Sequence, residues 1–220
     1  MILIPVKNLA AAKQRLSSVL DQAARTELAQ AMLHDVVAAV AMWAGRPAAA
    51  LVTGDPFAIE LAREYDFEIV PDALNPGETG AIEMATRVCL ERGVESTLVI
   101  PADIPLIQPG EIEEIFAHAP DQGSVLVPAA DGRGTNAALR RPADLFPLRF
   151  GNDSFKPHLA AARATGKPCR VLQLPGIALD VDGPVELQQL IATAGETRAQ
   201  SLARRWRIGD IFLATGSDRL

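Results

Sequence analysis

Short, almost wholly apolar runs recur along this chain, and the stretches between them carry a helical rather than a strand period. The runs are "ILIPV" (2–6), "AAALVTG" (48–54), "FEIVP" (67–71) and "STLVIPADIPL" (96–106). Between them lie "DQAARTELAQAMLHDVVAAVAMW", with Asp21 as a helix cap and Leu28, Val36 and Val40 as inner positions, "PFAIELAREY", and "AIEMATRVCLERG", closed by Gly93. Strands buried on both faces and separated by helices have one common solution, a parallel sheet with right-handed crossovers. After "PGEIEEIFAHA" the alternation loosens. "SVLVPA" and "TNAALRR" read as consecutive strands, "KPHLAAARATG" as a helix starting near Lys156, "CRVLQLP" as a strand and "VELQQLIATAG" as a helix. Consecutive strands imply a mixed sheet. The fold class is α/β on a mixed, mostly parallel sheet, with residues 1–195 as a single domain. The tail 196–220 holds Arg198, Arg204, Arg205 and Arg207 around Trp206. It is compatible with packing on the body, with a subunit contact in a homodimer, or with partial disorder.

Composition bounds the function. A chain of 220 residues with 49% hydrophobic residues can bury a full core, and a net charge of −6 with no recurring basic stripe argues against broad nucleic-acid binding. The longest apolar helical stretch, "VVAAVAMWAG", is too short to span a bilayer, and no signal-peptide pattern opens the chain. Cys89 and Cys169 lack metal-site spacing and read as buried free thiols in a reducing cytoplasm.

Ligands of open α/β sheets sit beyond the carboxyl ends of the strands. Three kinds of loop residue fall there. Lys7, Lys13 and Arg15 follow the first strand among small residues, without the glycines of a dinucleotide or P-loop fingerprint. Such a loop can hold a polyphosphate, with backbone N–H groups approaching past small side chains and the cations neutralising charge. Asp103 ends the fourth apolar run. Asp180 and Asp182 alternate with Leu179 and Val181 in "LDVDGP", so in an extended chain both carboxylates face one way. Carboxylates that converge suit a hard cation such as magnesium, though a turn and helix cap would use the same residues. Thr135 opens a strand after glycines, and Gly151 and Ser154 lie in a polar turn before a helix, where an anion is favoured and where a serine can equally be an ordinary cap. His34 and His118 read as structural or solvated. His158, close to that turn, is read against a role.

The stretches "PVKNLAAAKQRL", "NPG", "PADIPL", "GRGTNAAL", "FGNDSF" and "LDVDGPVEL", in this order, resemble the phospholactate guanylyltransferase family over Met1 to about Leu190. The resemblance implies a nucleotide-diphospho-sugar-transferase-like fold, a three-layer α/β/α sandwich, and a reaction of coenzyme F-420 biosynthesis. GTP would be joined to 2-phospho-L-lactate, phosphoenolpyruvate or 3-phospho-D-glycerate, with release of pyrophosphate. It implies magnesium on Asp103, Asp180 and Asp182, phosphates near Lys7, Lys13 and Arg15, the base near Asn75, Pro76 and Gly77, and the acceptor acid near Thr135, Gly151 and Ser154. It also implies a downstream transferase that takes the GDP-linked product. "ETGA" after Asn-Pro-Gly departs from the family pattern, where asparagine often follows the glycine. The rivals are a nucleotidyltransferase for a sugar phosphate or molybdopterin, which usually carries a glycine-rich first loop; a glycosyltransferase with an Asp-x-Asp metal site; and a non-catalytic nucleotide-binding domain.

Overall fold

The computed structural model describes residues 1–72, 77–151 and 153–206. The strands are β1 (Ile2–Val6), β2 (Ala49–Thr53), β3 (Glu68–Pro71), β4 (Thr97–Val99), β5 (Gly123–Pro128), β6 (Thr135–Arg141) and β7 (Cys169–Val171). The helices are α1 (Gln22–Met42), α2 (Pro56–Glu64), α3 (Glu78–Glu91), α4 (Pro109–Ala117), α5 (Phe155–Ala164), α6 (Pro175–Ala178), α7 (Pro184–Ala192) and α8 (Arg198–Arg205). One seven-stranded sheet runs in the order β3-β2-β1-β4-β6-β5-β7. β1, β2, β3 and β4 pair in parallel, β6 is antiparallel to both β4 and β5, and β7 is parallel to β5.

β1 shows why the apolar runs are continuous. Ile2, Ile4 and Val6 pack on one face with Leu33, Val36, Val37 and Val40 of α1, Leu61 of α2 and Ile112 of α4. Leu3 packs on the other face with Ala81, Ile82 and Ala85 of α3. Both faces are covered, so neither side of the strand can be polar. Pro5, in mid-strand, is tolerated because of register. The Ile2 N–H bonds Ala48 on the β2 side, so the bond that Pro5 lacks would face β4, where the pairing has already ended at Leu3↔Val99. α1 is buried on a second side as well. Leu28 and Met32 meet Leu187 and Leu190 of α7, Ala199 and Ala203 of α8, and Val181. This explains a 21-residue helix with so little polar face.

Several boundaries differ from the sequence reading. The fourth run forms a strand only over Thr97–Val99: the Ile100 N–H still bonds the Leu3 carbonyl of β1, but Pro101 cannot donate to a ladder and the chain leaves the sheet there. α3 starts at Glu78, three residues before the predicted start at Ala81, directly after the positive-φ Gly77. The strand expected over "CRVLQLP" is only Cys169–Val171, and the short α6 follows it unpredicted. Cys89 is a buried free thiol, but Cys169, on the last strand of the sheet, is half-buried. Of the tail, residues 198–205 form α8, whose first two backbone N–H groups, of Arg198 and Ala199, are capped by the carboxylate of Asp35 on α1. No helix among the described residues is long and apolar enough to cross a membrane.

Candidate functional site

The carboxyl ends of β1 and β4 lie side by side at the point where the chain reverses its direction of travel across the sheet. β6 runs the other way, with Val99↔Ala138 in register, so its first residues Thr135 and Asn136 reach the same edge. Two adjacent cavities open there, of about 350 and 430 Å³, and share Glu78, Pro101, Asp103 and Asp182 as a common wall. The first contains Arg15, Thr135, Gly151, Ser154 and Asp180, and the second contains Lys7 and Lys13 among largely apolar neighbours.

Lys13 sits at the centre of the wall. Its backbone is left-handed, with φ of 55°. That turns the side chain inward, where it is 8% exposed. Its Nζ donates to Asp103 Oδ2 at 2.7 Å and to Asp182 Oδ1 at 2.9 Å. Burial alone would depress the ammonium pKa, but the charges of Asp103 and then Asp182 outweigh it and the net direction is upward. The same pairing, with Arg15 Nη1 3.6 Å from Asp182 Oδ2, holds the Asp182 carboxyl below the usual range against its own burial. Lys7 is exposed at the rim, over Gly77: a Cβ on that glycine would lie 3.6 Å from Lys7 Nζ.

The opening loop works differently from the sequence expectation. The N–H of Leu9 bonds Asp55 Oδ2, that of Ala10 the Asn8 side chain, and those of Ala11 and Ala12 close a 3₁₀ turn on Asn8 and Leu9. These four N–H groups are spent on folding the loop and cannot cradle phosphates. What the loop presents is its cations.

"LDVDGP" bears out the alternation argument. The Val181 N–H bonds the Asp103 carbonyl, which pins the segment to the end of the fourth run, and the Val181 side chain is buried in the core. Asp180 and Asp182 both line the first cavity. Asp180 accepts from Asn136 Nδ2 at 3.0 Å. Burial, followed by the charges of Asp103 and Asp182, pushes its carboxyl upward despite that bond. Among the described residues no three His, Cys, Asp or Glu side chains are drawn together tightly enough to hold a metal ion unaided. Magnesium asks for less, because it commonly takes one or two carboxylates, several waters and substrate phosphate oxygens. Asp103, Asp180 and Asp182 all line the first cavity and offer oxygen donors only, the type of donor that suits a hard divalent cation.

At the far end of the first cavity the Ser154 reading changes. Its side chain does not cap α5. Instead Ser154 Oγ accepts from the Thr135 N–H at 3.1 Å and lies 3.3 Å from Thr135 Oγ1, so the two hydroxyls form one unit. Gly151 lines the same cavity with φ of 139°, open to glycine alone at little cost. Arg133 and Asp153 close the rim with two hydrogen bonds, at 2.6 and 3.0 Å. Of the predicted base-contacting residues, Asn75 and Pro76 lie outside the described residues.

Two site residues escaped sequence reasoning, which reads His158 against a role. Glu78, on the shared wall, has its carboxyl pushed up to about 7 by burial and then by Asp103. Asn136 orients Asp180, and His158 lies behind Thr135. Asn136 and Glu78 stand directly beside the predicted Thr135 and Gly77 in the sequence, and His158 lies one helical turn beyond Ser154, which was the available signal. Burial of the glutamate was not visible there.

The sequence profile described as guanylyl transferase, CofC-like, matches residues 1–219. The chain belongs to this family. Among curated members, the phosphoenolpyruvate guanylyltransferase of Rubrobacter xylanophilus is 37% identical over 193 residues, which cover 87% of this chain and 93% of that one. The 2-phospho-L-lactate guanylyltransferase of Methanothermobacter thermautotrophicus is 32% identical over 218 residues, covering 99% and 95%. A solved structure from Desulfovibrio desulfuricans G20, assigned to the nucleotide-diphospho-sugar transferases, superposes with a TM-score of 0.75 over 93% of each chain at 17% identity, a likeness of fold. In this CofC-like chain, described residues of every motif that carries the family resemblance, "NPG" apart, line the two cavities.

Proposed function

We propose that the chain transfers a guanylyl group from GTP to the phosphate of a small phosphorylated acid and releases pyrophosphate. Phosphoenolpyruvate is the first candidate for the acceptor, with 2-phospho-L-lactate and 3-phospho-D-glycerate as alternatives. The observation that carries this reading is the paired cavity. A lobe that sets Lys7 and Lys13 among apolar walls suits a nucleoside triphosphate. A hydroxyl-lined lobe suits an anionic acceptor, and carboxylates stand on the wall between. The names of the curated relatives supply the guanylyl group and the acceptor class.

An acceptor phosphate oxygen attacks the α-phosphorus of GTP, the α–β bridging P–O bond breaks, and the electron pair leaves with pyrophosphate. A phosphate is already anionic near pH 7, so the nucleophile needs no general base. Lys13, and Arg15 beside it, neutralise the charge that develops between the two substrates. Lys7 meets the triphosphate at the rim, while Thr135, Ser154 and Gly151 orient the acceptor. A magnesium ion, when bound, would be held by Asp103, Asp180 and Asp182 and would supply further neutralisation of the phosphate oxygens.

The test incubates the protein with each NTP and each of the three acids, with magnesium or with EDTA, and measures pyrophosphate. Pyrophosphate release that requires both GTP and an acid is expected. Release without any acid, or none with all three, sinks the reading, and full activity in EDTA removes the metal from it.

A further inference from the structure

His158 is 1% exposed, behind the hydroxyl pair of the acceptor lobe. Its Nε2 accepts from the Arg149 N–H at 2.8 Å, and its Nδ1 lies 2.9 Å from Thr135 Oγ1. A backbone N–H can only donate, so in the neutral ring Nε2 is bare and Nδ1 carries the proton. Burial, and then the charge of Arg140, hold the ring neutral by lowering its pKa to about 4. The Nδ1–H therefore donates to Thr135 Oγ1. Thr135 and Ser154 hold two hydroxyl protons between them, and one is used in the bond that joins the pair. Since the ring presents a donor, it cannot accept the other proton, which is left to be offered to the cavity that both residues line. With the opposite tautomer Thr135 would give its proton to the ring, and this outward donor would be lost.

We infer that His158 is a positioning residue: the Arg149 N–H sets its tautomer, and its Nδ1–H turns one hydroxyl proton of the Thr135–Ser154 pair toward the anionic acceptor. The inference rests on the acceptor assignment proposed above.

Two amide substitutions separate the two ends of the ring. His158→Asn can place an N–H near the Nδ1 position, whereas His158→Gln can place a carbonyl near the Nε2 position. If the donor to Thr135 is what matters, His158→Gln raises the KM for phosphoenolpyruvate roughly 3–10-fold, the scale of one neutral hydrogen bond, with little change in the KM for GTP or in kcat. His158→Asn then stays within about twofold of wild type. The reverse order, with Gln near wild type and Asn impaired, makes His158 a support for the Arg149 turn and overturns the inference. Thr135→Val is the control. If it leaves the KM for the acid unchanged, the acceptor assignment itself fails. If it raises that KM while neither His158 variant does, only the inference fails. A measurement on unaltered protein stands beside these: histidine ring ¹⁵N shifts at neutral pH must report the Nδ1–H tautomer for His158, and an Nε2–H tautomer would refute it.

Discussion

Replacing Lys13 with alanine tests the centre of the site. Two charge-assisted hydrogen bonds disappear, at 2.7 and 2.9 Å. Bonds to charged groups contribute about 1.5–3 kcal/mol each. The partners are not sealed from water, however, since Asp103 is 27% and Asp182 45% exposed, so both carboxylates partly rehydrate. We therefore discount the sum to about 2–3 kcal/mol at pH 7. For a chain of this size that is a Tm loss of roughly 4–12 °C. The loss should depend on pH. The depressed Asp182 carboxyl contributes stability that is present above its unfolded value, about 3.9, and is lost as pH falls through the lower folded value. Without Lys13 that contribution disappears, so the gap between variant and wild type is full above about pH 4 and closes as pH falls below it. Thermal melts of both proteins between pH 2 and 8 in EDTA measure it. Millimolar magnesium should then raise the Tm of the variant more than that of wild type, as a dication takes the place of the ammonium. A loss below about 0.5 kcal/mol, or one that is flat with pH, would mean that Lys13 is not holding the wall together.

Other perturbations bear on the same architecture. Asp103→Asn is expected to abolish most pyrophosphate release while the far-UV circular dichroism stays native, since on the proposed function one ligand charge is lost and no core contact; near-wild-type turnover at saturating magnesium would contradict this. Glu78, with its carboxyl raised to about 7, binds its proton more tightly when folded, so it lowers stability as pH rises from about 4.5 to 7. In EDTA, Glu78→Gln should therefore match wild type at pH 5 and exceed it by about 1–3 kcal/mol at pH 8, and equal denaturation midpoints at both pH values would refute the assignment. Arg140, whose guanidinium is lowered to about 10 by burial, donates to the Phe146 carbonyl at 2.7 Å and to Thr86 and Thr97 at 3.0 and 3.3 Å. Arg140→Met leaves these acceptors unmet and should cost about 2–4 kcal/mol in urea denaturation with little effect on the KM values.

What the sequence by itself determined was the layered α/β architecture and the edge at which the site lies. Apolar runs such as "ILIPV" are long enough to be strands and have no polar face, so both sides had to be covered by helices. The residues just past their ends, Lys7, Lys13 and Asp103, then had to gather at one edge. The alternation in "LDVDGP" was equally legible, because side chains two apart in extended backbone share a face, and Asp180 and Asp182 do flank the buried Val181. Only the tertiary structure decided which groups meet. Ser154 looks like a cap in any local reading, since only the antiparallel placement of β6 brings the Thr135 N–H to its oxygen. The small-residue loop looks like a phosphate cradle until Asp55, 46 residues away, is seen to take the Leu9 N–H. Glu78 and His158 carry ordinary local contexts, and their protonation is set by burial and by charges remote in the chain. Local pattern records the period of a backbone. Long-range contacts and desolvation exist only once the chain has closed on itself.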